Sequence, residues 1–139
     1  MKLRHVVILL PYNDNLEVLF QNRVNLKKTT GDYGFFGGHL EKGESVEEAL
    51  AREIMEEWNF DVNDLENLEF FKEYVFEFPE QNKKRILSVF VCKMPDINKL
   101  RICEGKGEIF KFDDVFNLNI SEWNKKILEE IRVYLIDKF

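Results

Sequence analysis

Residues Gly37 to Trp58 read GGHLEKGESVEEALAREIMEEW. Two glycines open the stretch, a third follows at Gly43, and glutamates crowd its second half. Ser45 and Glu48 have the Ser-x-x-Glu spacing of a capping box, so a helix is expected over Ser45–Asn59. At helical periodicity Val46, Leu50 and Ile54 form an apolar stripe that must face a core. Glu53, Glu56 and Glu57 stand at i, i+3 and i+4 and share one arc beside that stripe. Like charges at this spacing cost a bare helix a few tenths of a kcal/mol each. A solvated charged face accounts for such text in many helices. The alternative is a hard-cation site, because clustered carboxylate oxygens suit Mg²⁺ or Mn²⁺, whose remaining positions take water and phosphate oxygens. A flexible glycine-rich loop directly ahead would let backbone approach such ions closely.

Outward from this helix the chain alternates strand and turn signals. Leu3–Pro11 reads as a buried strand, Asn13–Asn15 as a turn and Leu16–Gln21 as a second strand of a hairpin. Arg23–Gly34 is polar and is expected to be a loop, and Tyr33–Gly38 holds a short strand before the glycines. Glu69–Phe78 and Arg85–Lys93, joined by a turn over Pro79–Asn82, form a second hairpin. Glu104–Glu108 (EGKGE) is a glycine-containing loop ahead of Phe110–Phe112, where Asp113 and Asp114 cap a short turn. Ser121 caps a last helix with Trp123, Ile127, Ile131 and Leu135 at helical spacing. The fold class is therefore α/β, a mixed sheet between helices, with residues 1–139 as one domain.

The 139 residues carry a net charge of −6 and are 45% hydrophobic, enough for a real core. That charge argues against a long nucleic acid as partner, since such partners need a basic surface. Cys92 and Cys103 are too few for a disulfide framework and lack metal-ligand spacing. The apolar run Val6–Leu10 is too short for a signal peptide and ends at Pro11, and no stretch is long enough to cross a membrane, so a soluble cytoplasmic protein is expected.

From Gly38 the spacing is Gly, five residues, Glu44, seven residues, Arg52-Glu53-Ile54, one residue, Glu56-Glu57, one residue, Asn59-Phe60. This resembles the Nudix box, G-x5-E-x7-R-E-U-x-E-E-x-G-U, over residues 38–60, with Asn59 in place of the glycine past the helix. Asn is the best non-glycine residue for a left-handed cap, so the turn is expected to survive. Many relatives also carry Pro where Phe36 stands. The resemblance implies a Nudix α/β/α sandwich, close to the mutator-type (MutT-like) enzymes, that hydrolyses a nucleoside diphosphate linked to a further group X.

Carried onto matching positions, the resemblance makes Glu53, Glu56 and Glu57 metal ligands, with the Gly37 carbonyl as a further one and Mg²⁺, or Mn²⁺ in its place, as cofactor. Arg52 would orient the carboxylates and Glu44 would tie the loop to the helix. Plain readings stand beside these: an i,i+4 ion pair for Arg52, and a helix-dipole residue for Glu44. The general base is Glu53 or a carboxylate of the later loop, Glu108 in preference to Glu104. Gly37, Gly38, His39, Phe35 and Asn119 are candidate substrate contacts, although Phe35, Phe36, Tyr74, Phe76 and Phe78 also suit a core. Lys83-Lys84-Arg85 either meets phosphates or is a solvated tip. The first substrate expectation is a (d)NTP, including an oxidised one such as 8-oxo-dGTP, cut to monophosphate and pyrophosphate. Nucleotide sugars, ADP-ribose and dinucleoside polyphosphates share the chemistry, and a homodimer is compatible with it. A non-catalytic nucleotide sensor is the alternative class, but such domains usually lose box carboxylates and this chain keeps Glu44, Glu53, Glu56 and Glu57.

Overall fold

The computed structural model describes residues 2–26 and 32–139; residues 27–31 of the expected polar loop lie outside them. Its strands are β1 (Lys2–Tyr12), β2 (Glu17–Asn22), β3 (Tyr33–Gly34), β4 (Phe36–His39), β5 (Glu69–Phe78), β6 (Lys83–Lys93) and β7 (Lys106–Lys111). The helices are α1 (Val46–Trp58) and α2 (Glu122–Lys138). One mixed sheet runs in the order β3-β2-β1-β6-β5, with β4 against β1 and β7 against β2. β1 is parallel to β6 and antiparallel to β2 and β4.

The near-continuous apolar text of β1 follows from burial on both faces. Ile8, Leu10 and Tyr12 point into a cluster with Ile127, Leu128, Ile131 and Leu135 of α2. Val7 and Leu9 point the other way, into a cluster with Leu50, Ile54 and Trp58 of α1. One helix therefore covers each face, giving the expected α/β/α sandwich. Each fully buried aliphatic side chain in these layers stabilises the fold by about 1.5–3 kcal/mol.

The ends of α1 are set locally. Ser45 Oγ accepts from Glu48 N at 3.1 Å, and the Glu48 carboxylate accepts from Ser45 N at 3.0 Å. Asn59 ends the helix in the left-handed region, φ 49° and ψ 46°, its N–H donating to the Met55 carbonyl at 3.0 Å. Trp58 then packs edge-on against Phe36, with ring centroids 5.1 Å apart.

Two segments differ from the sequence reading. Gly37 and Gly38 do not form a flexible loop; they lie in β4, opposite Ile8 and Val7. Gly37, at φ 144°, is needed because a Cβ there would run into the Val7 carbonyl oxygen. Glu108 is likewise not in a loop, since β7 begins at Lys106 and sets Glu108 opposite Phe20.

The cap at Asn59 yields a stability test. The side chain is exposed, so its backbone conformation is what matters. Asn59→Gly should change the unfolding free energy by less than about 0.5 kcal/mol, and Asn59→Val should lose about 1–2 kcal/mol. Urea unfolding followed by tryptophan fluorescence measures both, and an equal loss in the two variants would contradict the left-handed cap.

Candidate active site at the β4–α1 junction

Arg52 leaves α1 towards the segment that precedes the helix. Its Nε and Nη2 donate to the two Glu44 carboxylate oxygens at 2.7 and 2.9 Å, a bidentate pair. Nη1 donates to Glu53 at 2.9 Å and to Glu56 at 3.3 Å, and Nη2 also donates to the His39 carbonyl at 2.9 Å. One guanidinium thus ties the end of β4, the turn after it and three glutamates together. The bonds from Arg52 hold the Glu44 carboxyl down at about 2.

The three glutamates of the arc have different surroundings. Glu56 is exposed, at 57% of its side chain. Glu53 is mostly covered, and its carboxylate occupies the space a Cβ on Gly38 would fill. Desolvation pushes the Glu53 carboxyl up, against the Arg52 bond, with Glu56 and Glu104 adding to the rise. Glu57 is buried, only 4% exposed, and accepts from Gly37 N at 3.1 Å. Burial, and then the charges of Glu53 and Glu104, push its carboxyl up to about 8.

Gly37, Gly38, His39, Phe35 and Glu57 line a cleft of about 370 Å³ on the α2 face of the sheet. Phe35 is buried edge-on against Phe20, so it serves as floor rather than as a stacking face. The His39 ring loses basicity, first by burial and then through the charges of Arg4 and Arg85. Asn119 is not brought to this lining; its side chain donates to Asp32 at 3.1 Å, and its carbonyl takes the N–H groups of Asp32 and Tyr33. Glu108 is also outside the lining and accepts from Asn22 Nδ2 at 2.6 Å, whereas Glu104 lies in the cleft wall.

Sequence reading missed Arg23, placed there in a polar loop. It lines the cleft, donates from Nε to Gln21 Oε1 at 2.7 Å and from Nη2 to the Phe35 carbonyl, and is mostly buried. Gly34 leaves room for its guanidinium. Burial pulls Arg23 below its usual value, while Glu57 and Glu104 oppose that shift. The signal was an isolated arginine two residues beyond Gln21 on the same face of an edge-paired segment, too weak to separate from a solvated loop.

Among the described residues, no three carboxylate, imidazole or thiol groups already converge on one point. Glu53 is turned onto Arg52 and Glu57 onto Gly37 N. Even so, the Glu53 carboxylate lies against Gly38 and the Glu57 carboxylate against Gly37 N, so two hard-oxygen donors meet at adjacent residues of β4 beside the cleft. Carboxylate oxygens of this kind are the donors a hard divalent cation takes.

The raised carboxyl of Glu57 fixes a pH dependence for the metal-free protein. A carboxyl raised on folding binds its proton more tightly in the native state. Its ionisation therefore opposes folding, and stability falls as pH rises from the ordinary 4.5 towards about 8. His39 acts with the opposite sign near neutrality, so the comparison must be with a variant that keeps it. Glu57→Gln should match the wild type at pH 5 and exceed it by on the order of 2 kcal/mol at pH 8. Chemical denaturation in chelator at both pH values measures this, and a stability difference that stays constant with pH would contradict the buried carboxyl.

A NUDIX domain model matches residues 1–131. No curated protein matches the sequence significantly. Among solved structures, a MutT studied from Aliivibrio salmonicida and Vibrio cholerae superposes with a TM-score of 0.73 at 24% identity, covering 99% of this chain and 100% of that one. A mutator MutT protein from Bacillus halodurans gives 0.67 at 24% identity, covering 91% and 80%. The E. coli dihydroneopterin triphosphate pyrophosphohydrolase gives 0.72 at 19% identity, covering 94% and 97%. With a box helix capped, paired and packed as above and a family model spanning nearly its whole length, the chain belongs to the NUDIX domain family and is a Nudix hydrolase acting on pyrophosphate bonds.

Proposed function

We propose that the chain is a Mg²⁺-dependent pyrophosphohydrolase of a small nucleotide, with Mn²⁺ able to substitute. A (d)NTP or oxidised dNTP, cut to monophosphate and pyrophosphate, is the leading substrate. The observation that carries this reading is the buried Glu57 carboxyl beside Gly37, at the acidic end of an otherwise apolar and basic cleft. Glu53, Glu56, Glu57 and the Gly37 carbonyl would hold the metal, which when bound polarises the phosphate and acidifies a water. Arg52 and Glu44 position those carboxylates, and Arg52 keeps Glu53 in place after its charge is used. Glu104, in the cleft wall and free of any ion pair among the described residues, takes the proton of the attacking water. The water oxygen bonds to phosphorus as the anhydride P–O bond breaks. Gly38 and His39 border the substrate path, Val6 floors the nucleoside end, and Arg23, bonded to the carbonyl of the floor residue Phe35, faces the phosphates.

The test is phosphate release from a nucleotide panel with Mg²⁺, each reaction split between inorganic pyrophosphatase and alkaline phosphatase. Phosphate released by inorganic pyrophosphatase is expected for triphosphates, and Glu57→Gln should lose about two orders of magnitude in kcat. Signal only after alkaline phosphatase would move the substrate to a diphosphate linked to a sugar or second nucleoside. Binding of nucleotides without cleavage by any divalent metal would make the chain a sensor instead.

A further inference from the structure

The acidic end accounts for only half of the cleft. Arg4, Val6 and Ile8 line it as alternate residues of β1, on one face of the sheet. Gly37 pairs with Ile8 and donates to Glu57, which marks the acidic end. Arg4 lies four residues away, roughly 13 Å along the strand. It pairs in register with Arg85 of the parallel strand β6. The Arg85 guanidinium is held over the Trp123 ring, 5.2 Å from its centroid, and Trp123 is itself a cleft wall. Lys2, Lys83 and Lys84 surround the same two arginines.

Among the described residues neither Arg4 nor Arg85 forms an ion pair, in a protein of net charge −6 with acidic side chains to spare. Adjacent guanidinia without a carboxylate between them repel, so the arrangement gains from an anion supplied from outside. A neutral base does not meet that need. Guanine takes one guanidinium on its O6 and N7 edge and leaves the second arginine and the lysines uncompensated. A phosphate accepts from both.

We infer that the substrate carries a second phosphate group at its nucleoside end, held between Arg4 and Arg85 while the scissile pyrophosphate lies at the glutamates. This rests on the pyrophosphohydrolase reading for its acidic end. Among nucleoside 5′-triphosphates, one further phosphorylated on its sugar binds more tightly than the simple (d)NTP, which the acidic end cuts in the same way.

The test avoids hydrolysis. Guanosine 5′-monophosphate and guanosine 3′,5′-bisphosphate contain no anhydride bond, so their binding can be measured by calorimetry with Mg²⁺ present. The wild type should bind the bisphosphate roughly tenfold or more tightly than the monophosphate. In Arg4→Gln/Arg85→Gln that ratio should fall to about twofold or less, and exposed Arg4→Gln alone, which leaves the Trp123 contact intact, should give an intermediate ratio. Equal affinities in the wild type, or a preference undiminished in the double variant, would overturn the inference. A blank hydrolysis panel beside an intact bisphosphate preference would instead remove only the enzymatic reading.

Discussion

The guanidinium of Arg52 is the point on which the acidic site depends. Four glutamates converge on a short length of chain, and three of them are bonded to this one cation. A lysine would neutralise the same charge without the fork that grips both Glu44 oxygens. The bidentate pair also joins elements that neighbour one another only through the fold. Glu44 belongs to the turn, His39 to the end of β4, and Glu53 and Glu56 to the helix. Helix α1 is therefore pinned at its N-terminus by its own capping box and at its middle by Arg52.

Glu57 stands outside that arrangement, which gives the site its chemistry. It lies one turn further along the helix than Glu53, buried against the Gly37 N–H, with the charges of other carboxylates near and only buried Arg23 in partial relief. The strand that presents Gly37 and Gly38 permits this because both positions lack side chains. At Gly37 the β1 backbone leaves no room for one, and at Gly38 the Glu53 carboxylate takes the space. The steric need for glycine and the close approach of two carboxylates thus meet at two adjacent residues. The opposite end of the cleft shows the reverse polarity, with the guanidinia of Arg4 and Arg85 and, among the described lining residues, no carboxylate.

What could be read from the sequence was what the chain encodes over short distances. The capping box, the left-handed turn at Asn59, the apolar stripe of α1 and the apolar run of β1 each depend on residues within a few positions of one another. Partnerships across the sheet were not readable. Arg4 and Arg85 are 81 positions apart and meet only through the parallel register of β1 and β6. Arg23 looked like loop because nothing local shows that Phe35 and Gln21 will accept its hydrogens. The preference for Glu108 over Glu104 rested on a loop that in fact becomes strand at Lys106, which leaves Glu104 in the cleft and hands Glu108 to Asn22. Gly37 and Gly38 read as flexible because glycine's freedom is a local property, whereas its use here is to let backbone and carboxylate approach.

If, as proposed, a divalent cation completes the glutamate array of α1, the protein binds one without any nucleotide present. Titration of Mn²⁺ followed by electron paramagnetic resonance tests it without any choice of substrate. The wild type should bind saturably, with binding weakened about tenfold or more in both Glu53→Gln and Glu57→Gln and weakened also in Arg52→Lys, which keeps the charge but loses the fork. Mn²⁺ binding unchanged by all three substitutions, or no binding at millimolar ion, would contradict it.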